Sequence, residues 1–470
     1  MLEQVLASID SGRERSIEGL KEFLRIASVS TKPEHGPDMQ RAAELLVREF
    51  ESAGLWARIE PTGGHPLVLA GTQRKPDRPT VLIYGHYDVQ PPEPLEQWAS
   101  PPFEPTIRLD STGHEAIFAR GAVDDKGQVW CHVQAIAAWA KHGELPVNLV
   151  LMIEGEEEIG SEHLEAWVSA HKEELRADVA VISDTGQFAR DVPAITYGLR
   201  GLLYTEITVE GPSHDLHSGI YGGAVPNPAN VLADLLAGLH NLDGKVNIPG
   251  FYDEVVELTP AERAMWAGLP FDERGFLQEA GVGGPMGETG FTTLERRWAR
   301  PTCDINGLSG GYQGPGAKTI IPARASAKVS MRLVPGQDGK KIYDSLVRAL
   351  RERAPKSVRV DVHFHSAANA ALVPIDSAPT QLAARAVQKG FGKTPVMMRE
   401  GGTVPIVGLL KRELGLDTLL VGFGLPDDRV HSPNEKFDLD ALHRGTRTCA
   451  ILYEELRAVR VGGWGLGARG

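Results

Sequence analysis

The chain has 470 residues, 42% hydrophobic and 24% charged, with a formal net charge of −13. That length exceeds what a single hydrophobic core serves, so two domains, or one domain with a large insertion, are expected. The acidic balance opposes phosphate backbones and anionic lipid surfaces, whose binding depends on clustered Lys and Arg, and so argues against nucleic acid and membrane as partners.

Three cysteines, Cys131, Cys303 and Cys449, lie far apart with no CxxC spacing. Neither a disulfide framework nor a thiolate zinc site is implied, and a reducing compartment is expected. The N-terminal MLEQVLASIDSGRERSIEGLKEFLRIAS mixes apolar and charged residues at helical spacing, without the basic region and apolar core of a signal peptide. No run approaches the ~18 apolar residues of a membrane span, and the expected location is cytoplasmic.

From residue 17 to about 55, apolar residues recur at helical intervals and predict two helices interrupted by SVSTKPEHGPD. Short apolar strands at 80–84, 147–153 and 178–182 then alternate with helical stretches at 127–142 and 162–175. This pattern predicts an α/β domain whose mostly parallel, mixed sheet is flanked by helices. After Tyr197 the strands LLYTEITVEG, ARASAKVSMRLVPG and VRVDVHFH alternate apolar and polar residues, separated by a helix opened by Asn227-Pro228 and another at 340–353. They predict an α+β unit with one solvated sheet face. Residues 251–300 read as irregular. From about 378 the βα character resumes and runs to a helix at 439–459 and a loose glycine-rich tail, GGWGLGARG. The expected organisation is an α/β domain, residues 1–198 and 384–470, interrupted by an inserted α+β domain at 199–383.

In parallel sheets ligands gather beyond the carboxyl ends of the strands, and there this sequence places metal-binding side chains. TVLIY leads into GHYDV, with His86 and Asp88; ARGAVDDKG, with Asp124 and Asp125, precedes the helix at 127–142. VNLVLMI leads into EGEEEIGS, with Glu156, Glu157 and Glu158; DVAVIS ends at Asp184; TLLVGFG leads to LPDDRVHSPNE, with His431. Singly, each has an ordinary reading: Asp124-Asp125 could cap a helix, and His431 could be a surface residue. Together, carboxylates in one cleft repel one another or take up protons unless a cation compensates them, and imidazole mixed with carboxylate suits zinc or manganese. Four carboxylates and two histidines are too many for one tetrahedral zinc. Two ions bridged by one aspartate use them, leaving a glutamate as general base for attack of water on a carbonyl.

GHYDV, ARGAVDDKG, EGEEEIGS, Asp184 and HSPNE, in this order, resemble the dinuclear zinc metallopeptidases that include carnosinases, bacterial dipeptidases, aminoacylase and carboxypeptidase G, most closely the carnosinase-like dipeptidases. The likeness covers nearly the whole chain. It implies a catalytic α/β domain with an inserted lid and dimerisation domain. It implies that His86, Asp124 and Asp184 hold one ion, that Asp124, Glu158 and His431 hold the other, and that Glu157 is the general base. It further implies a cis peptide bond at Asp124-Asp125 and an orienting role for Asp88 on His86. Glu156 receives no role from it and reads as a solvated or helix-start carboxylate.

In the insertion, EGPSHDLHSGIYGG resembles the loop whose histidine, here His217, stabilises the oxyanion in the partner subunit's active site, implying a homodimer. GAKTIIPARASAKVSMRLVPGQ places Thr319 and Arg332 at substrate-contacting positions, Arg332 as a clamp for a free C-terminal carboxylate or, alternatively, as a structural ion-pair partner. REGGTVPI, with Glu400, Gly401, Gly402 and Thr403, resembles a substrate-binding turn. The expected activity is hydrolysis of dipeptides with a free C-terminus, using two divalent ions, zinc or manganese. The alternative is N-acyl-amino-acid deacylation on the same ions, and DLHSG, Asp184 and RLVPG resemble the dipeptidase branch more. A binding subunit without turnover would have lost a ligand or Glu157, and none is lost.

Overall fold

The uninterrupted apolar runs of the first half form buried strands. In the computed structural model, which describes residues 1–462, Thr80–His86 lies parallel to both Asn148–Glu154 and Val179–Ile182, and Thr418–Leu420 lies parallel to the last of these. Every residue of Thr80–His86 and Asn148–Glu154 is buried. A strand covered on both faces needs apolar side chains on both, hence runs and not alternation. Trp56–Glu60, Leu67–Gly71 and Ala194–Leu199 extend this parallel centre with antiparallel pairings, so the sheet is mixed.

Lys126–His142 is the most enclosed helix of this unit, buried nearly all round from Lys126 to Trp139. It packs against Leu439–Leu456 and Arg13–Leu24. Its two tryptophans keep their indole N–H groups satisfied in the core: Trp130 donates to the Ser16 carbonyl at 2.8 Å and Trp139 to that of Ala450 at 3.0 Å.

Contacts divide the chain into two units. Met1–Tyr197, Val373–Met398 and the chain from Leu409 onward form the first; Gly198–Leu372 and Arg399–Gly408 form the second. The chain re-enters the first unit at Val373 and not at 384, a position inside the helix Ala378–Phe391, which packs on Leu439–Leu456.

The second unit is a four-stranded antiparallel sheet in the order Thr302–Gly310, Arg324–Leu333, Gly201–Glu210, Arg359–Ala368. Alternate residues of Gly201–Glu210 are buried. The apolar sides of Pro228–Ala237 and Gly339–Arg353 join those buried residues in one core. Asn227 caps the first helix, accepting from the Ala229 N–H at 3.0 Å, with Pro228 at the first helical position.

Two features differ from the sequence reading. Thr302–Gly310 is a strand, but it is an edge strand exposed along most of its length and interrupted by an irregularity between Ile305 and Gly307, so TCDINGLSG carries no period-two signal. Within 251–300 lie three short helices, Pro260–Ala267, Glu273–Glu279 and Thr293–Ala299. Capping boxes open the first and third, Thr259 with Glu262 and Thr292 with Glu295. Helices of seven or eight residues are too short to show a period. The glycine-rich tail, from residue 463, lies outside the described residues. No helix among those described is long and apolar enough to cross a membrane.

Leu151, fully buried in the strand Asn148–Glu154, tests the core of the first unit. Leu151→Ala should cost about 2–5 kcal/mol, read as a lower urea midpoint by tryptophan fluorescence.

Candidate metal centre

The strand Thr80–His86 delivers His86, fully buried, to the carboxyl end of the sheet. Its Nδ1 lies 3.4 Å from Asp88 Oδ1, and its Nε2, without a hydrogen-bond partner among the described residues, faces Asp124 Oδ1 at 3.2 Å and Asp184 Oδ2 at 3.9 Å. On the other side of Asp124, His431 Nε2 lies 2.9 Å from Oδ2 and 3.1 Å from Glu158 Oε2. Asp124 thus turns one oxygen toward each histidine. Potential ligand atoms of His86, Asp124 and Asp184 lie within 4.8 Å of one another, as do those of Asp124, Glu158 and His431.

Close backbone approach builds this geometry. The peptide bond between Asp124 and Asp125 is cis. Asp125 does not cap the helix that follows with its side chain; its Oδ2 instead accepts the His86 N–H at 3.2 Å. A Cβ on Gly85 would sit 2.8 Å from that carboxylate oxygen, and one on Gly127 would sit 1.9 Å from the Ala122 carbonyl oxygen. The glycines of GHYDV and DDKG are therefore spaces into which neighbouring chain packs.

Asp88, 3.4 Å from His86 Nδ1, has further contacts. Its two oxygens accept the backbone N–H groups of Glu157 at 3.3 Å and Glu158 at 3.1 Å, fixing the turn that carries both glutamates. Gln90, which the sequence reading passed over, donates to Glu158 Oε2 at 2.7 Å. Its place four residues after His86, beyond a strand end, was the available signal.

Glu156 is corrected by the structure. It is buried, and its Oε1 accepts the His65 N–H at 3.0 Å while its carboxylate meets His163 Nδ1 at 3.0 Å. This is a carboxylate holding two loop segments together, and not a solvated one.

The electrostatics show how costly the crowding is. Burial pushes the Glu157 carboxyl up to about 9, with help from the carboxylates of Asp184, Glu158 and Asp124. Burial and the neighbouring Asp124 push Asp184 up to about 7. Burial would lower the His86 imidazole, but Asp124 and Asp88 outweigh it and raise the group well above its ordinary value. Burial would likewise raise Asp124, yet His431 and His86 hold it below the usual carboxylate range. A borderline divalent cation fits this donor set of imidazoles and carboxylates and would relieve the repulsion.

The second unit brings together the remaining residues in two groups. His217 pairs with Ile320 in a short ladder, and the Ser218 N–H donates to the Thr319 carbonyl at 3.1 Å, so His217 and Thr319 are neighbours. His217 is exposed and its Nδ1 accepts the Gly219 N–H at 2.9 Å. Arg332 Nη1 donates to Thr403 Oγ1 at 2.9 Å, and that hydroxyl donates to the Arg200 carbonyl at 2.7 Å, joining Arg332 to the Glu400–Thr403 turn. Among the described residues no carboxylate pairs with Arg332, so a structural ion pair is not what holds it.

A profile of peptidase family M20/M25/M40 matches residues 82–455. The Cys-Gly metallodipeptidase dug1 of Schizosaccharomyces pombe is 34% identical over 97% of this chain and 99% of its own, and the Beta-Ala-His dipeptidase of Homo sapiens is 32% identical over 97% and 93%. The crystal structure of human carnosine dipeptidase 1 superposes with a TM-score of 0.83 at 31% identity, covering 97% of this chain and 98% of that one. An M20 family metallo-carboxypeptidase from Sulfolobus solfataricus gives 0.83 at 32%, covering 94% and 99%. The chain belongs to peptidase family M20/M25/M40, a family of metal-dependent hydrolases.

Folded carboxyls with raised pKa values bind protons more tightly than unfolded ones, so stability must fall as pH rises between the two values. In EDTA the melting temperature should therefore drop between about pH 4.5 and 9, the range opened by Glu157 and Asp184. Zn2+ or Mn2+ should raise it and flatten the slope. A slope unchanged by the ions would contradict the assignment.

Proposed function

We propose that this protein hydrolyses the peptide bond of dipeptides with a free C-terminal carboxylate, with two divalent ions held by His86, Asp124 and Asp184 and by Asp124, Glu158 and His431. The observation that carries this reading is Asp124 facing both histidines, with the partly buried Glu157 in the field of the same carboxylates. Zinc suits the donor set, with manganese as the other candidate. Bound there, the ions supply charge compensation and electrophilic polarisation of the scissile carbonyl.

The positive charge of bound ions would lower the Glu157 carboxyl from the value to which burial and its neighbours raise it, so that Glu157 accepts a proton from the attacking water and returns it to the leaving amine. Asp88 keeps His86 in orientation and, through the N–H groups of Glu157 and Glu158, keeps base and ligand on one rigid turn. Arg332, joined to the Glu400–Thr403 turn and without a carboxylate partner among the described residues, receives the substrate's C-terminal carboxylate together with the backbone of Gly401 and Gly402, while Thr319 contacts substrate from its place next to His217. His217 stabilises the oxyanion from the partner subunit of a homodimer formed through the second unit; its exposure and its neighbour Thr319 support that role. Three buried free cysteines support a reducing, cytoplasmic setting.

The test is product formation by the Zn2+- or Mn2+-loaded protein on dipeptides, tripeptides, longer peptides and N-acetyl amino acids, read by mass spectrometry. Cleavage confined to dipeptides supports the reading. Cleavage of N-acetyl amino acids alone would assign a deacylase, and trimming of longer peptides a carboxypeptidase such as the S. solfataricus relative. Glu157→Ala should lower kcat by about 10²–10⁴-fold or more while both ions stay bound. Arg332→Ala should raise KM for dipeptides about ten- to a hundredfold, the loss of a charge-assisted contact of roughly 1.5–3 kcal/mol; an unchanged KM would remove it from the site.

A further inference from the structure

His431 is the one candidate ligand that the core does not hold. Its side chain is about half exposed, at 53%, on a loop where Arg429, His431 and Asn434 all take left-handed backbone conformations, with φ of 56°, 60° and 64°. Non-glycine residues stay there only when their surroundings fix them. Two side chains of the HSPNE segment do so. Asn434 accepts the Ala99 N–H at 2.8 Å and donates to the Gln97 carbonyl at 2.7 Å. Glu435, fully buried, reaches the other way, into the loop that carries Asp124.

The contacts of Glu435 are complete and specific. Oε1 accepts the N–H groups of Val123 at 3.1 Å and Asp124 at 3.2 Å. Oε2 accepts the Gly121 N–H at 3.0 Å and Arg120 Nη1 at 2.7 Å. The Glu435 carbonyl also accepts the Ala119 N–H at 3.1 Å. Four donors converge on one carboxylate, whose two oxygens can accept all of them; an amide would turn a donor of its own toward two of them.

We propose that Glu435 is a positioning residue that sets the spacing of Asp124 and His431, and with it the affinity for the ion held by Asp124, Glu158 and His431. The inference rests on the two-ion reading above. A carboxylate in the loop of one ligand grips the backbone of the other, so the two cannot drift apart independently. Glu288 is the purely structural counterpart: also buried, it pairs with both Nε and Nη2 of Arg300, at 2.7 and 2.8 Å, in the second unit and outside both candidate metal groups.

The experiment compares wild type, Glu435→Gln, Glu435→Asp and Glu288→Gln. Each is stripped with EDTA, checked for a cooperative melt, then titrated with Zn2+ against a chromophoric chelator, with ions counted by mass spectrometry and Co2+ absorption recorded. Glu435→Gln should keep one tight ion and bind the second about ten- to a hundredfold more weakly, with an altered Co2+ spectrum; Glu435→Asp should fall between. Glu288→Gln should lose melting temperature yet bind both ions as wild type does. Wild-type affinity for both ions in Glu435→Gln would overturn the proposal, as would an equal loss in Glu288→Gln, or failure of both Glu435 variants to fold without ions. A wild type that binds no ion would instead remove the two-ion reading and this inference with it.

Discussion

The packing of like charge at the carboxyl end of the sheet is the constraint on which the rest of the first unit depends. Asp124, Asp184 and the Glu157–Glu158 turn arrive from three separate loops, and burial together with their mutual repulsion raises the Glu157 and Asp184 carboxyls far above the usual carboxylate range. Such a group costs stability unless something offsets it, and a chain does not hold it together by chance. Two imidazoles, one on each side of Asp124, supply part of the compensation. Divalent cations supply the remainder in the reading proposed above.

Holding mutually repelling groups in place requires backbone anchors that are themselves buried. Asp88, Asp125, Glu156 and Glu435 share this work: each is a buried carboxylate that accepts backbone N–H groups. They fix, in turn, the glutamate turn, the His86 backbone, the loop between the strands Trp56–Glu60 and Leu67–Gly71, and the loop of Asp124. The site therefore has two populations of acid, one facing ligand atoms and one facing the main chain. Residue type alone does not tell them apart.

Much of the fold was legible because its signals are local. Buried parallel strands declare themselves as apolar runs, and the insertion's half-solvated sheet declares itself by alternation in Gly201–Glu210 and Arg324–Leu333. Thr302–Gly310 was not legible, because an exposed edge strand with an irregular register has no buried face to pattern. The capping boxes at Thr259 and Thr292 were present in the sequence as T-x-x-E, but no period followed them. In the site, the candidate ligands His86, Glu158 and Asp184 stood out as polar groups at or just after the ends of apolar strands. Gln90 carried that signal only weakly, four residues past His86, and Glu435 carried none, since what they touch comes from elsewhere in the chain.

The sequence by itself determined the α/β framework with its insertion, the family and the set of candidate ligands, because each follows from composition, period and ordered motifs along the chain. Only the tertiary structure decided which carboxylate of EGEEEIGS is buried against His65 and His163, that Asp124 turns one oxygen to each histidine, and that Glu435 grips the loop of Asp124. The reason is distance along the chain. Glu435 and Asp124 are 311 residues apart, and the hydrogen bond that joins them exists only once the sheet has brought both loops to the same end.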